Sequence, residues 1–198
     1  FPWMRYKKLV QTVSYVPHFI STVVIVGMLM QIFNPRTGAL GAIYQLLTGE
    51  IMKDLFANPN AFPHIYVWSG IWQGIGWSSI IYIAALSGVD GELHNAAQID
   101  GASVLQRIIY IDFPAILPTA TVLLILSAGS IMNVGFEKVF LMQNSLNISR
   151  SEVISTYVYK VGLAAGNGDF SFATAIGLFN SVINFVLLIT VNFLSKKL

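Results

Sequence analysis

The sequence predicts an all-α integral membrane protein, a polytopic helical bundle of about four spans. Three observations carry this. Of 198 residues, 55% are hydrophobic and only 10% charged, where a soluble domain carries roughly a quarter charged. The mean hydropathy is +0.68. Four windows lack Asp, Glu, Lys and Arg altogether: Val10 to Phe33, Tyr66 to Ser87, Leu117 to Asn133 and Ala173 to Leu194. Each approaches the roughly 20 residues that one bilayer crossing requires.

The spans are accordingly set at about 10–33, 66–87, 117–136 and 173–194 within a single transmembrane domain, 1–198. Pro17 is expected to kink the first span, which helix neighbours in a bundle accommodate. Basic residues near span ends favour the cytoplasm: Arg5, Lys7 and Lys8 precede the first span, and Lys196 and Lys197 follow the last. Both termini are then cytoplasmic, and so is the loop from Gly88 to Ala115. Opposite it, Asn34-Pro35-Arg36-Thr37-Gly38 and Asn58-Pro59-Asn60 are turn signals bracketing an amphipathic stretch, Leu40 to Phe56, expected to be a short helix. Gly166-Asn167-Gly168-Asp169 reads as a further turn before the last span.

Several chemistries drop out. There is no cysteine, and His18, His64 and His94 are scattered, so no metal cluster is expected. A net charge of +2 without a basic stripe gives nothing for nucleic acid to bind. No G-x-x-x-x-G-K-[ST] phosphate loop occurs, so this chain is not expected to bind ATP, and no H-E-x-x-H or G-x-S-x-G is present. Catalysis has no candidate residues. Ion-coupled carriers need ionisable groups at membrane depth, and the windows offer only His18, which reads as a packing residue.

The spans do carry neutral polarity: Gln73, Asn133, Asn180, Asn184 and Asn192. Amides in lipid are costly, so these should face the bundle. Asn180 and Asn184 share a helix face, as do Gln73 and Trp77, with Trp68, Trp72 and Tyr82 nearby. Amide donors beside aromatic faces suit a polyhydroxylated ligand. Taken singly, each asparagine is more readily interhelical glue, and each aromatic part of an interfacial belt.

The loop from about 90 to 114 differs from an ordinary connection. Asp90 can cap a helix over Glu92 to Asp100, and Gly101 should break it. A second helix carries Val104, Leu105, Ile108 and Ile109 on one stripe, and Pro114 and Pro118 are expected to mark a bend into the third span. An amphipathic helix pair in a polar loop wants a partner or the membrane surface.

Within it stand Asn95-Ala96-Ala97, three residues, Gly101, nine residues, Ile111, one residue, then Phe113-Pro114. This resembles the EAA loop, E-A-A-x3-G-x9-I-x-L-P, of permease subunits of ATP-binding-cassette (ABC) importers, departing from it at Asn95 and Phe113. Resemblance to the polysaccharide and oligosaccharide permeases of the carbohydrate-uptake group extends over the chain, through Gln11 to Phe19, Ile71-Trp72-Gln73, Asp100-Gly101-Ala102, Gly135-Phe136-Glu137 and Thr156 to Tyr159. Those relatives have six spans, which with Phe1 in place of Met implies a fragment lacking two amino-terminal spans.

The resemblance implies a non-enzymatic permease subunit that imports an oligosaccharide. Its partners would be a second permease, identical or different, a cytoplasmic ATPase dimer that binds the ATP, and an extracytoplasmic solute-binding protein. Glu92, Asn95, Ala96, Ala97, Asp100, Gly101, Ile111 and Pro114 would couple to the ATPase, with the Val104 to Ile109 stripe anchored on the permease's own helices. Trp72, Gln73, Trp77, Asn133, Phe136, Asn180 and Asn184 are the candidate substrate path. Alternatives are an ABC permease for a non-sugar solute, an ion-coupled secondary carrier, and a membrane enzyme acting on lipid-linked sugar through Glu137 or Asp169.

Overall fold

The computed structural model describes residues 2–164 and 168–195, with backbone alone for residues 2–5 and 7. Lys196, Lys197 and the Gly166-Asn167 pair of the expected turn lie outside the described residues, as do the side chains of Arg5 and Lys7. The described residues are helical, with no strand among them. The chain divides into two compact units, Phe1–Ile75 with Asn133–Phe179, and Gly76–Met132 with Asn180–Leu198.

The first unit begins with α1, Pro2–Tyr15, a 3-10 turn over Val16–Phe19, and α2, Thr22–Ile32. Where a proline kink in one span was expected, the chain breaks: Lys8–Phe19 and Thr22–Ile32 meet at 101°. Proline alone does not do this. Ser21 is extended (ψ 149°) and its hydroxyl accepts from the Val24 amide, so it starts a new helix. The Ile20 carbonyl, left outside either helix, accepts the Gln73 side-chain amide at 3.3 Å.

After the Asn34 turn, whose Oδ1 accepts from the amides of Arg36 and Thr37, comes α3, Ala39–Thr48. It is shorter than the expected Leu40 to Phe56 because Gly49 adopts φ 75° and closes it with a left-handed cap. Next, α4 runs over Ala61–Ser87 and contributes to both units.

The long connection after Asn133 holds helices that no apolar period announced: α8 at Phe136–Met142, α9 at Ile148–Ser151 and α10 at Ile154–Tyr159 (α5 to α7 belong to the second unit). This layer supplies much of the unit's core. Val139 and Met142, each 1% exposed, pack with Val26, Phe62 and Ile65. A buried polar clasp holds it in place. Asn147, fully buried, donates to the carbonyls of Phe56 and Met142 at 2.9 and 3.0 Å; it accepts from the Asn144 amide and the Ser151 hydroxyl at 2.9 and 2.8 Å.

The second unit contains α5, Gly91–Ile99; α6, Val104–Arg107; a π-helical turn over Ile108–Asp112; and α7, Phe113–Ala128. The second loop helix is therefore the start of a span, since Val104–Ala128 is one helix of 25 residues, and Pro114 and Pro118 do not break it. The π turn explains this. Pro114 has no N–H for the carbonyl four residues back, and just before it the Phe113 amide reaches Ile108, five residues back. Last is α11, Phe170–Ser195, which also enters both units. Asp169 caps it through the Phe172 amide at 2.9 Å.

Among the described residues two helices are long and apolar enough to cross a membrane, Val104–Ala128 and Phe170–Ser195, or three if the bent pair is one span. The expected count was about four. The 27-residue α4 has the length, but Trp68, Trp72, Gln73 and Trp77, with its glycines and serines, dilute its apolarity. None of the apolar window of Val104–Ala128 is buried within the chain, as suits a surface made for lipid or further helices.

Candidate functional site

The candidate coupling loop is a rigid corner. Asp90 caps α5 by accepting from the Glu92 amide at 2.9 Å. At the other end Gly101 has φ 81°, and the amides of Gly101 and Ala102 bond back to the carbonyls of Gln98 and Ala97 at 3.1 and 2.8 Å. This pair of bonds is a Schellman ending. Two residues on, Ser103 and Gln106 form a reciprocal capping box that starts α6. The hinge thus has both lips hydrogen-bonded, and His94 Nε2 lies 3.2 Å from Asp112 Oδ1, clipping α5 to the π turn.

This geometry exposes Glu92, Asn95, Ala96, Asp100, Gly101 and Pro114, and half-buries Ala97 and Ile111. Ile99 projects furthest, at 86% exposure. The Val104 to Ile109 stripe does not anchor within this chain as expected, since Val104, Leu105, Ile108 and Ile109 are all exposed. The Ile99 tip, the His94–Asp112 clip and the capping box were missed by sequence reasoning, although S-x-x-Q at Ser103 to Gln106 is a readable box.

The candidate path residues are divided between the two units. In the first unit, Trp72 lines an open apolar cleft with Leu29, Phe33, Ile65, Trp68 and Ser69. Gln73 is committed to the Ile20 carbonyl. Phe136 stacks on Phe140 with Tyr159 across both, every centroid separation being 5.2 Å. Asn133 lies in the irregular segment past the end of α7. In the second unit, Asn184 is buried and accepts from the Met132 amide, in the turn past the end of α7, at 3.3 Å. Asn180 precedes it by one turn of α11, and Trp77 is exposed on α4.

One residue not singled out from the sequence stands out chemically. Lys138 on α8 is 9% exposed; its ammonium donates to the Tyr66 carbonyl at 3.3 Å and lies 5.2 Å from the Tyr66 ring centre. Burial pushes it below the ordinary lysine value of 10.5. Because the folded chain then holds that proton less tightly than the unfolded one, stability is expected to rise as pH climbs from the folded value to 10.5. Thermal melts across that range should show a rise in the wild type that is absent from Lys138→Met.

A family model described as "Binding-protein-dependent transport system inner membrane component" matches residues 5–198. Protein LplB of Bacillus subtilis (strain 168) is 42% identical over 192 residues, 97% of this chain and 59% of that protein. The polygalacturonan/rhamnogalacturonan transport system permease protein YteP of the same organism is 38% identical over the same shares. A crystal structure of a bacterial ABC transporter involved in import of the acidic polysaccharide alginate superposes with a TM-score of 0.92 at 36% identity, over 98% of this chain and 66% of that one. This chain thus spans about three fifths of the relatives' length, 59%. The chain belongs to the family of binding-protein-dependent transport system inner membrane components.

Proposed function

We propose that the chain is the greater part of a permease subunit of an ABC importer that carries an oligosaccharide across the cytoplasmic membrane. In this reading ATP is bound and hydrolysed by a separate ATPase dimer, and the chain itself catalyses nothing. A second permease, identical or different, completes the path, and an extracytoplasmic solute-binding protein delivers the sugar. Both termini and the loop around Gly101 face the cytoplasm.

The observation that carries this reading is the exposed, doubly capped corner at Gly101. A loop that must transmit a push has to be stiff and solvent-facing at once, and the Schellman ending plus capping box supply stiffness without burying α5. Further support comes from the relatives: one is a permease for polygalacturonan and rhamnogalacturonan, and the alginate importer was also solved with its pentasaccharide-bound periplasmic protein.

Ala96 is exposed on α5 and small enough for close approach. Ala96→Glu would bury an unpaired charge against the ATPase, a penalty of roughly 2–5 kcal/mol at interfaces. The expected result is normal membrane insertion with binding-protein-stimulated ATP hydrolysis reduced about tenfold or more. Full stimulation in the purified complex would sink the docking assignment.

A further inference from the structure

We propose that Lys138 is the point where the path receives the carboxylate of an acidic sugar, so that the carried oligosaccharide is anionic. This rests on the permease reading and narrows its substrate class.

The residue is a buried cation without an anion. Among the described residues the ion pairs are His94–Asp112 and Lys160–Glu152, and no carboxylate lies within 4.0 Å of Lys138. Burying an unpaired charge costs several kcal/mol, and folds keep such groups chiefly where they have work to do. Capping is not that work. The Tyr66 carbonyl lies inside continuous α4, where it needs no side-chain cap. One long bond of 3.3 Å leaves two of the three ammonium hydrogens for another acceptor.

The surroundings make a receiving face. Tyr66, Gly70 and Gln73 recur at i, i+4 and i+7 on α4, one stripe of the helix. Gly70 keeps that stripe low beside the ammonium: a Cβ there would stand 3.6 Å from Nζ. The Tyr66 ring stacks on Phe62 and lies under the ammonium, and its hydroxyl lies beside Gly135 at the start of α8, so the ring orients Lys138 and leaves the ammonium as the group to meet a sugar. A compact ammonium on a flexible stem suits a carboxylate that must be gripped and released.

The test uses the assembled transporter with its ATPase and binding protein, reconstituted in vesicles, offered labelled oligogalacturonates, alginate oligomers and neutral arabino-oligosaccharides. Wild type should take up an acidic oligomer. Lys138→Met should keep binding-protein-stimulated ATP hydrolysis while sugar moved per ATP falls at least about tenfold, a ratio that a merely structural role leaves alone. A smaller fall overturns the proposal. Should that variant fail to assemble, the wild type still decides: a water-soluble carbodiimide added during turnover should join the sugar carboxylate to Lys138 as an amide, read by peptide mass. Adducts confined to other residues overturn it. Wild-type uptake of neutral sugars alone refutes this inference and leaves the permease reading standing. No uptake of any sugar refutes both.

Discussion

Gly101→Arg is expected to leave the chain inserted in the membrane and to cut binding-protein-stimulated ATP hydrolysis by roughly tenfold or more. At φ 81° the hinge sits in left-handed space, where a residue with a Cβ is disfavoured by about 1–2 kcal/mol. No atom lies within 4 Å of a Cβ built there, so the fold itself is not crowded. The strain is relieved by letting the Ala102 and Gly101 amides leave their carbonyls, which frees α5 to swing. The arginine also places bulk and charge where the proposed ATPase partner would approach. A series separates the two effects. Gly101→Ala adds strain without bulk, and Gly101→Asn adds less strain because asparagine tolerates this conformation. Hydrolysis should fall in the order Asn, Ala, Arg, and normal hydrolysis by the arginine variant would remove the hinge from the coupling mechanism.

Asn147→Ala is expected to lower stability by about 2–4 kcal/mol, because it removes the partner of the buried Met142 carbonyl and of the buried Ser151 hydroxyl at once and each costs roughly 1–3 kcal/mol when left unmade. The carbonyls of Phe56 and Met142 lose a donor, and the Asn144 amide and Ser151 hydroxyl lose an acceptor. Thermal unfolding of the purified complex, with proteolysis between residues 142 and 156 as a local probe, gives the measurement. Asn147→Asp keeps the acceptor but turns a carboxylate oxygen toward two carbonyls in a fully buried site, so it should fall at least as far as alanine. A shift within about 0.5 kcal/mol of wild type for the alanine variant would mean that the clasp is decorative.

These two sites differ in how far the sequence announces them. The Gly101 corner is local. Asp90, Gly101 and the Ser103 to Gln106 box each act on neighbours within a few residues, and cap and hinge are readable from residue type. The apolar runs that became α7 and α11 are readable for the same reason. The Asn147 clasp is not, because its decisive acceptor, Phe56, lies 91 residues away. The α8 layer is hidden likewise: Val139 and Met142 are core only because Val26, Phe62 and Ile65 come to meet them. Nothing in the sequence separates Lys138 from other basic residues, and only its burial against Tyr66 does so. At the first window hydrophobicity ran on through Ser21, and a single capping hydroxyl outweighed it.

That break has a consequence for the surrounding solvent. The eleven residues of α2 rise only about 16 Å, roughly half of a 30 Å hydrocarbon layer. A carbonyl freed by such a break cannot be left facing acyl chains. The Gln73 amide on the Ile20 carbonyl is thus a substitute for water, a fixed dipole that lets the main chain turn inside an oily medium. Cutting Gln73 back to leucine would return that carbonyl's demand to the solvent, which could meet it only by drawing a water molecule into the membrane.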